Sequence, residues 1–376
     1  MATAVPATST PPPATPTPKP SPTPAHPAYD GPPLDPGAMG VQVHIHREDI
    51  DAILSDLQTL GVGWVKVQVS WKLYENGPDQ YTDRFLELDQ LVSRANARDM
   101  QVMLGVAKAP EWSRPTTEMD GPPDDFNQYT DFMAYLAGRY RGQVTAYELW
   151  NEPNLQREWN GFPLGGAAFV DLMRAGAQGV RSADPDAILI SGAPAPTGID
   201  DGTTAVDDRR FFQQMLDAGV ADVVDVIGAH PYGWANPPDS TMDNPDTAVS
   251  SHNNHPSFFF WDTLHDYRAQ LEAAGHGDKA IWVTEFGWGS FEGFDGPPPA
   301  GVEFMADVDE WQQAVYTLRA FELAQQWDWV GPMVLWNLNF GPLLGPEFSE
   351  SGFSLLRADG SQRSLFLALE AAAKRP

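Results

Sequence analysis

The sequence predicts an α/β architecture, a (β/α)8 (TIM) barrel preceded by a disordered Pro/Thr-rich N-terminal tail. Three observations carry that prediction. From about residue 38 onward, short apolar or β-branched runs alternate with longer stretches of helical period, and eight such pairs can be counted. The loops after the strands are unequal, those after the third, sixth and seventh being long and rich in Pro, Gly, Asp and Trp, while the segments leading into strands are short. A doubly wound open sheet is the competing architecture, and no GxGxxG or P-loop pattern follows an early strand to support it.

The elements follow in order. Residues 1–36 hold 13 of the chain's 35 Pro among Thr, Ala and Ser, with almost nothing to bury. Pro fixes φ and removes hydrogen-bond donors, so this segment is expected to be an extended spacer and 37–376 the barrel domain. Thr/Pro spacers commonly separate a secreted module from a wall-attached or cleaved segment. An extracellular or cell-wall location is therefore expected, with the signal or anchor upstream, because the opening MATAVPATST lacks the basic and apolar regions of a secretory signal.

The first strand is expected at 39–45 (MGVQVHI), followed by the helical stripe Ile50, Ile53, Leu54, Leu57. The second, 64–70 (WVKVQVS), precedes the stripe Phe85, Leu88, Leu91, Val92. The third and fourth fall at 101–107 (QVMLGVA) and 144–151 (VTAYELWN), the fifth at 187–192 (AILISG). The sixth, 224–230 (VDVIGAH), opens the long loop 231–257, and 280–286 (AIWVTEF) and 332–338 (PMVLWNL) complete the ring. In such a barrel the loops at the strand C-termini build the site.

Composition limits the partners. Hydrophobic residues at 42% and 13 Trp are ample for a large core and leave flat side chains for a cleft. The balance of 23 basic against 51 acidic residues, a formal −28, repels nucleic acid and anionic lipid. With no Cys there is no disulfide, no thiolate nucleophile and no Cys-based zinc site. No run approaches the roughly 18 apolar residues of a membrane span. The oligomeric state is left open.

Among so many acids, two stand apart by position. Glu152 ends the fourth strand in YELWNEPN and Glu285 ends the seventh in WVTEFGW, each flanked by Trp instead of other charges. Three strands apart on an eight-strand ring, they face one another across the mouth. Two carboxylates about 5–5.5 Å apart suit double displacement at a glycosidic bond, one as nucleophile and the other as acid and then base. The desolvated partner is expected to have a raised pKa.

WNEPN on strand four with TEFGW on strand seven resembles the retaining glycoside hydrolases of clan A, and YELWNEPNLQREW is most similar to family 39, a group of β-xylosidases, α-L-iduronidases and exopolysaccharide endoglycosidases. The likeness covers about 38–376, including the closing SGFSLLRADGSQRSLFLAL. It implies Glu152 as acid/base, Glu285 as nucleophile and Asn151 as the amide that holds the sugar 2-hydroxyl. It also implies that His230 and Tyr232 of His230-Pro231-Tyr232 stand at the substrate, with Tyr232 orienting the nucleophile, and that Trp336 forms the floor of the sugar subsite. Trp71, Trp112, Trp159, Trp234 and Trp288 fall in or beside strand-end loops, where they are expected to line further subsites or anchor the loops. Their spread favours several subsites and internal cleavage of a β-linked polysaccharide. No cofactor or metal is implied.

One departure concerns Lys66, which stands where many clan members have an Arg on strand two that supports the nucleophile. A point charge replaces a planar fork. Glu148 has the phase of an interior position and Lys66 is its candidate partner, so both are read as structural.

Two rival functions remain. His44 and His46 alternate onto one side at the end of strand one, as in metal-dependent amidohydrolase barrels, but strand five offers no His and strand eight offers Asn337 where that site has Asp. The His252 and His255 pair has no third ligand nearby in sequence. A non-catalytic carbohydrate-binding barrel would keep the Trp floor and lose a carboxylate, yet both carboxylates are present.

Overall fold

The computed structural model of the chain describes residues 25–376. β1 (Met39–Gln42) leads to α1 (Ile50–Leu60), β2 (Trp64–Ser70) to α2 (Arg84–Asn96), β3 (Gln101–Ala107) to α3 (Phe126–Arg139), and β4 (Ala146–Leu149) to α4 (Gly166–Ala183). The second half repeats this with β5 (Ile188–Ser191) and α5 (Asp208–Asp217), β6 (Ile227–Ala229) and α6 (Phe260–Ala273), β7 (Ile281–Phe286) and α7 (Glu310–Ala324). β8 (Val330–Leu335), a short α8 (Phe340–Leu344) and α9 (Ser364–Ala371) close the chain. Each strand overlaps the run expected for it. Asp side chains start several of the helices: Asp49, Asp125 and Asp207 accept from first-turn amides of α1, α3 and α5, and Asp309 forms a capping box with Gln312 on α7.

The strands run parallel in the order β5-β4-β3-β2-β1-β8-β7-β6. A single bridge between Ile190 and Val226 brings β5 to β6 and makes the sheet a barrel. At that seam the Ser191 amide donates to the Val226 carbonyl at 3.2 Å, and the Gly228 amide donates to Ser191 Oγ at 2.9 Å. Gly228 permits the approach, since a Cβ there would lie 2.2 Å from the Ser191 carbonyl oxygen.

Inside the barrel, Trp64, Met103, Ala146, Ile190, Trp282 and Val334 form an apolar layer, with the two indoles edge to face at 5.3 Å. Two residues further along their strands, strand alternation brings Lys66, Gly105 and Glu148 to the same interior. Lys66 and Glu148 are buried and paired at 2.7 Å. Gly105 makes room for them: a Cβ would sit 3.0 Å from Glu148 Oε2 and 3.2 Å from Lys66 Cε. The barrel therefore changes from apolar to charged one layer below its mouth.

The expected tail boundary at residue 36 needs correction. Residues 1–24 of that tail lie outside the described residues, but Leu34 is fully buried, donates to the Ala373 carbonyl at 2.8 Å and accepts from the Arg375 amide at 2.7 Å. The Pro36 carbonyl accepts from Gly63, and the Gly37 carbonyl accepts from the Trp64 indole. One apolar residue at the right place lets a Pro-rich segment dock on the base of the barrel. No helix among the described residues is long and apolar enough to cross a membrane.

Candidate active site

The loop after β4 is held by the motif that marks it. Trp150 is buried, with its indole donating to the Glu158 carbonyl at 3.1 Å, and Asn154 is buried with its amide clamped to Ala195 and Val206. These anchors hold Trp150 at φ 81 and Glu152 at φ 44, left-handed conformations that side-chain-bearing residues adopt at a cost of order 1–3 kcal/mol. The Glu152 amide is fixed to the Ala193 carbonyl at 3.0 Å. Glu152 thus lies three residues beyond the end of β4, turned into the mouth with Asn151 beside it. Glu285 lies within β7, where the pairing register with β8 shifts between Val283 and Phe286. Such an irregularity re-aims side chains.

One oxygen of Glu152, one of Glu285 and a ring nitrogen of His230 all lie within 4.8 Å of one another. Glu285 is fixed from two sides: Lys66 Nζ donates to Oε1 at 3.2 Å and to the Thr284 carbonyl at 3.0 Å, while Tyr232 Oη donates to Oε2 at 3.2 Å. Lys66, read from sequence as structural only, therefore also touches the carboxylate of Glu285. His230 is fully buried, 3.3 Å from Glu152 Oε1, 3.9 Å from Glu285 Oε2 and 3.7 Å from Glu148 Oε1. It was expected at the substrate; instead it sits behind the carboxylates and ties them together.

These contacts set the protonation states. Burial disfavours the His230 imidazolium, but Glu285, Glu148 and Glu152 outweigh it and push its pKa up to about 10. Burial likewise opposes the Lys66 ammonium, and Glu148 and Glu285 raise its pKa nonetheless. Burial pushes the Glu148 carboxyl up, yet Lys66 and His230 hold it down at about 2. Burial and then the Glu285 charge keep the Tyr232 hydroxyl a donor, well above its ordinary pKa. For Glu152 the expectation of a raised pKa is corrected. Burial acts in that direction, but His230 and then Arg157, whose Nη2 donates to Oε2 at 3.0 Å, bring it below the usual carboxylate value.

The pair opens into a cavity of about 630 Å3, within the usual range for small-molecule sites. Asn151, Tyr232, Trp234 and half-buried Trp336 line it, together with Gln68, Lys108, Arg157, Glu158 and Glu350. Burial pushes the Glu158 carboxyl up to about 7 against the pull of Lys108. Arg157, Glu158 and Lys108 were not singled out from sequence; their only signal was position, two within NLQREW and one directly after β3.

Trp71, Trp112 and Trp288, expected as substrate contacts, are not part of this lining, and nor is Trp159. Trp71 stacks on Phe132 and donates to Glu75 Oε2 at 2.6 Å; Trp112 packs edge-on against it and donates to the Glu75 carbonyl. Trp288 is buried with its indole bonded to the Asn236 carbonyl, and Trp159 is buried between Trp150 and Phe169. Each indole spends its N–H or its faces inside the loop walls, so the Trp spread carries no count of subsites.

The metal alternatives find no assembled site. His46 pairs with Glu87 at 3.0 Å and His44 packs edge-on against Phe340; His252 stacks on Trp234, and His255 bonds to Ser257. Asn337 bonds to the Glu350 carbonyl and the Phe340 amide. Among the described residues only Glu152, His230 and Glu285 are spaced to hold an ion. In this set the three anions Glu148, Glu152 and Glu285 are matched by Lys66, His230 and Arg157. The set reads as a proton-transfer constellation.

The family model for cellulase (glycosyl hydrolase family 5) matches residues 29–327. The chain belongs to glycosyl hydrolase family 5. No curated protein matches it significantly. A family 39 glycoside hydrolase from the gut symbiont Bacteroides cellulosilyticus WH2 has a similar structure, with TM-score 0.66 and 21% identity over 90% of this chain and 64% of that one. A glucosidase from Croceicoccus marinus gives 0.63 and 16% over 90% and 68% of the two chains. An exo-beta-1,4-mannosidase from Opitutaceae bacterium strain TAV5 gives 0.60 and 16% over 92% and 60%. At such identities the likeness is one of fold, and the chain spans only about 60–68% of the length of these proteins. The family 5 match lies within the clan that WNEPN and TEFGW resemble.

Proposed function

We propose that this family 5 chain hydrolyses β-glycosidic bonds of a poly- or oligosaccharide with retention, Glu285 acting as nucleophile and Glu152 as acid/base. The observation that carries the reading is the spacing of Glu152 and Glu285, whose nearest oxygens stand within 4.8 Å. Inverting enzymes separate their carboxyls by about 6.5–9.5 Å to seat a water between carboxylate and sugar, and this gap leaves no such room.

In the first displacement Glu285 attacks the anomeric carbon, the bond to the glycosidic oxygen breaks, and the proton of Glu152 passes to that oxygen. In the second, Glu152 takes a proton from water as the water attacks the same carbon, and the ester to Glu285 breaks. Lys66 and Tyr232 supply two donors that fix the attacking carboxylate. In this reading Asn151, which lines the cavity, holds the sugar 2-hydroxyl, a contact that tightens as the anomeric centre flattens, and the indole of Trp336 offers a face for the pyranose. The Thr/Pro composition of the N-terminal segment supports an extracellular or wall-associated setting in which the substrate is a polysaccharide.

Proton NMR of the early reaction mixture tests the reading. The best substrate from a set of gluco-, xylo-, manno- and galacto-configured β-oligosaccharides should first release a product of unchanged anomeric configuration. An inverted first product would mean that the wrong pair has been assigned.

A further inference from the structure

Glu152 presents its two oxygens to different surroundings. Oε1 faces inward, 3.3 Å from Nδ1 of buried His230, so Oε2 is the oxygen left for a glycosidic oxygen arriving from the cavity. That oxygen is taken, because Arg157 Nη2 donates to it at 3.0 Å. Arg157 stands on the loop after β4 and lines the cavity, and its side chain is 67% exposed. A guanidinium on Oε2 favours the ionised carboxylate and occupies the side from which a leaving group arrives, so the contact opposes the first displacement. A long, exposed side chain in a surface ion pair is held weakly, and an entering sugar can offset its release.

We propose that Arg157 belongs to the leaving-group subsite: in the empty cleft its guanidinium caps Glu152, and the hydroxyl-bearing leaving group displaces it and then receives its N–H donors. The proposal rests on the acid/base reading of Glu152 given above. Two other acids, Glu158 and Glu350, also attract Arg157 and line the same cavity, so the displaced side chain has somewhere to go without leaving the site. The remaining charged or titratable groups around the pair are His230 directly after β6 with Tyr232 just beyond it, Glu285 from β7, and Lys108 and Asp120 from the loop after β3. None of them touches Oε2. Displacement also has a chemical consequence: removal of the capping cation favours the protonated acid, so binding of the leaving group itself readies Glu152 to donate.

The test compares pH profiles of wild type, Arg157→Gln and Arg157→Lys on the best oligosaccharide substrate. The fraction of protonated acid falls as pH rises through the Glu152 pKa, which makes an alkaline limb. In Arg157→Gln the free-enzyme limb, read from kcat/KM, should move to higher pH by about one unit, because an opposite charge at this distance lowers a carboxyl by about that much. The limb in kcat should stay in place, since in the complex the guanidinium has already left. Arg157→Lys, which restores a cation, should return the free-enzyme limb toward wild type. At the acid plateau, Arg157→Gln should lose roughly tenfold in kcat/KM on the oligosaccharide and less than twofold on a dinitrophenyl glycoside, whose leaving group has no hydroxyls to bind. An unmoved kcat/KM limb, or equal movement of both limbs, overturns the proposal. Glu152→Ala tells the two failures apart: if its alkaline limb persists, the acid assignment and the proposal built on it both fall, whereas a limb lost in Glu152→Ala but unmoved in Arg157→Gln overturns the proposal alone.

Discussion

Six charged side chains meet at and just below the mouth of this barrel, and their arrangement gives Glu152 and Glu285 different surroundings. Glu285 has donors on both oxygens, whereas Glu152 has one oxygen turned to the cavity and only a movable arginine on it. Glu285→Ala should therefore lose turnover on every substrate. Glu152→Ala should still form the glycosyl-enzyme from dinitrophenyl glycosides, which need no proton, and azide should restore turnover by giving a β-azide. An α-azide from Glu152→Ala would exchange the two roles.

The buried partners carry a stability signature as well. Glu148 is held at about 2, below its ordinary 4.5, so its contribution is present above the ordinary value and lost as pH falls through about 2. His230 is raised from 6.5 to about 10, so its contribution is full below 6.5 and lost as pH rises toward 10. Denaturant unfolding of wild type should show stability falling between pH 6.5 and 10, and His230→Gln should flatten that slope. Equal slopes would mean that His230 is neutral in the folded protein. At this scale local motifs mark Glu152, Glu285, Asn151, Tyr232 and Trp336, and all five line the cavity. The sequence was not legible for Trp71, Trp112 and Trp288, because nearness to a strand end does not say which way an indole turns. Lys66 was half read: its pairing with Glu148 follows from strand phase, but its contact with Glu285 depends on how β2 and β7 face across the barrel.

At the scale of elements, all eight strands could be read from apolar runs, and β2 and β3 match their runs residue for residue, but other lengths could not be read. β6 was expected over seven residues and spans three, Ile227–Ala229, because its partner β5 is reached through one bridge and a side chain in place of a continued ladder. A run of apolar letters records burial, which both faces of a barrel strand share, and says nothing of where pairing stops. The seam matters for the site because β6 delivers His230 and Tyr232. Ser191→Ala removes the acceptor for the buried Gly228 amide, and an orphaned buried donor costs about 1–3 kcal/mol. Equilibrium denaturation should show a loss of that size, with unfolding still cooperative. A loss below a few tenths of a kcal/mol would mean that the seam is held by the backbone alone.

At the scale of the whole molecule, the base of the barrel is sealed by the two ends of the described chain pairing with each other. Leu34 lies between Ala373 and Arg375 in a parallel bridge, Asp35 donates its amide to Gln325, and the following residues accept from Gly63 and the interior Trp64. Composition hid this, since 13 Pro in 36 residues argue for a spacer and a single leucine is a faint counter-signal. The decisive comparison is between a chain beginning at residue 25 and one beginning at residue 37. The second loses a fully buried leucine, worth roughly 1.5–3 kcal/mol, and two backbone bonds to the segment after α9, and it uncovers the Trp64 side of the lowest core layer. Its melting temperature should be lower by several degrees, with the kcat on soluble substrate at 25 °C unchanged because the mouth lies at the opposite end of the strands. Equal melting temperatures would show that the docked segment adds no stability, and a lower kcat at 25 °C would show that the base of the barrel also sets the geometry of the carboxylates above it.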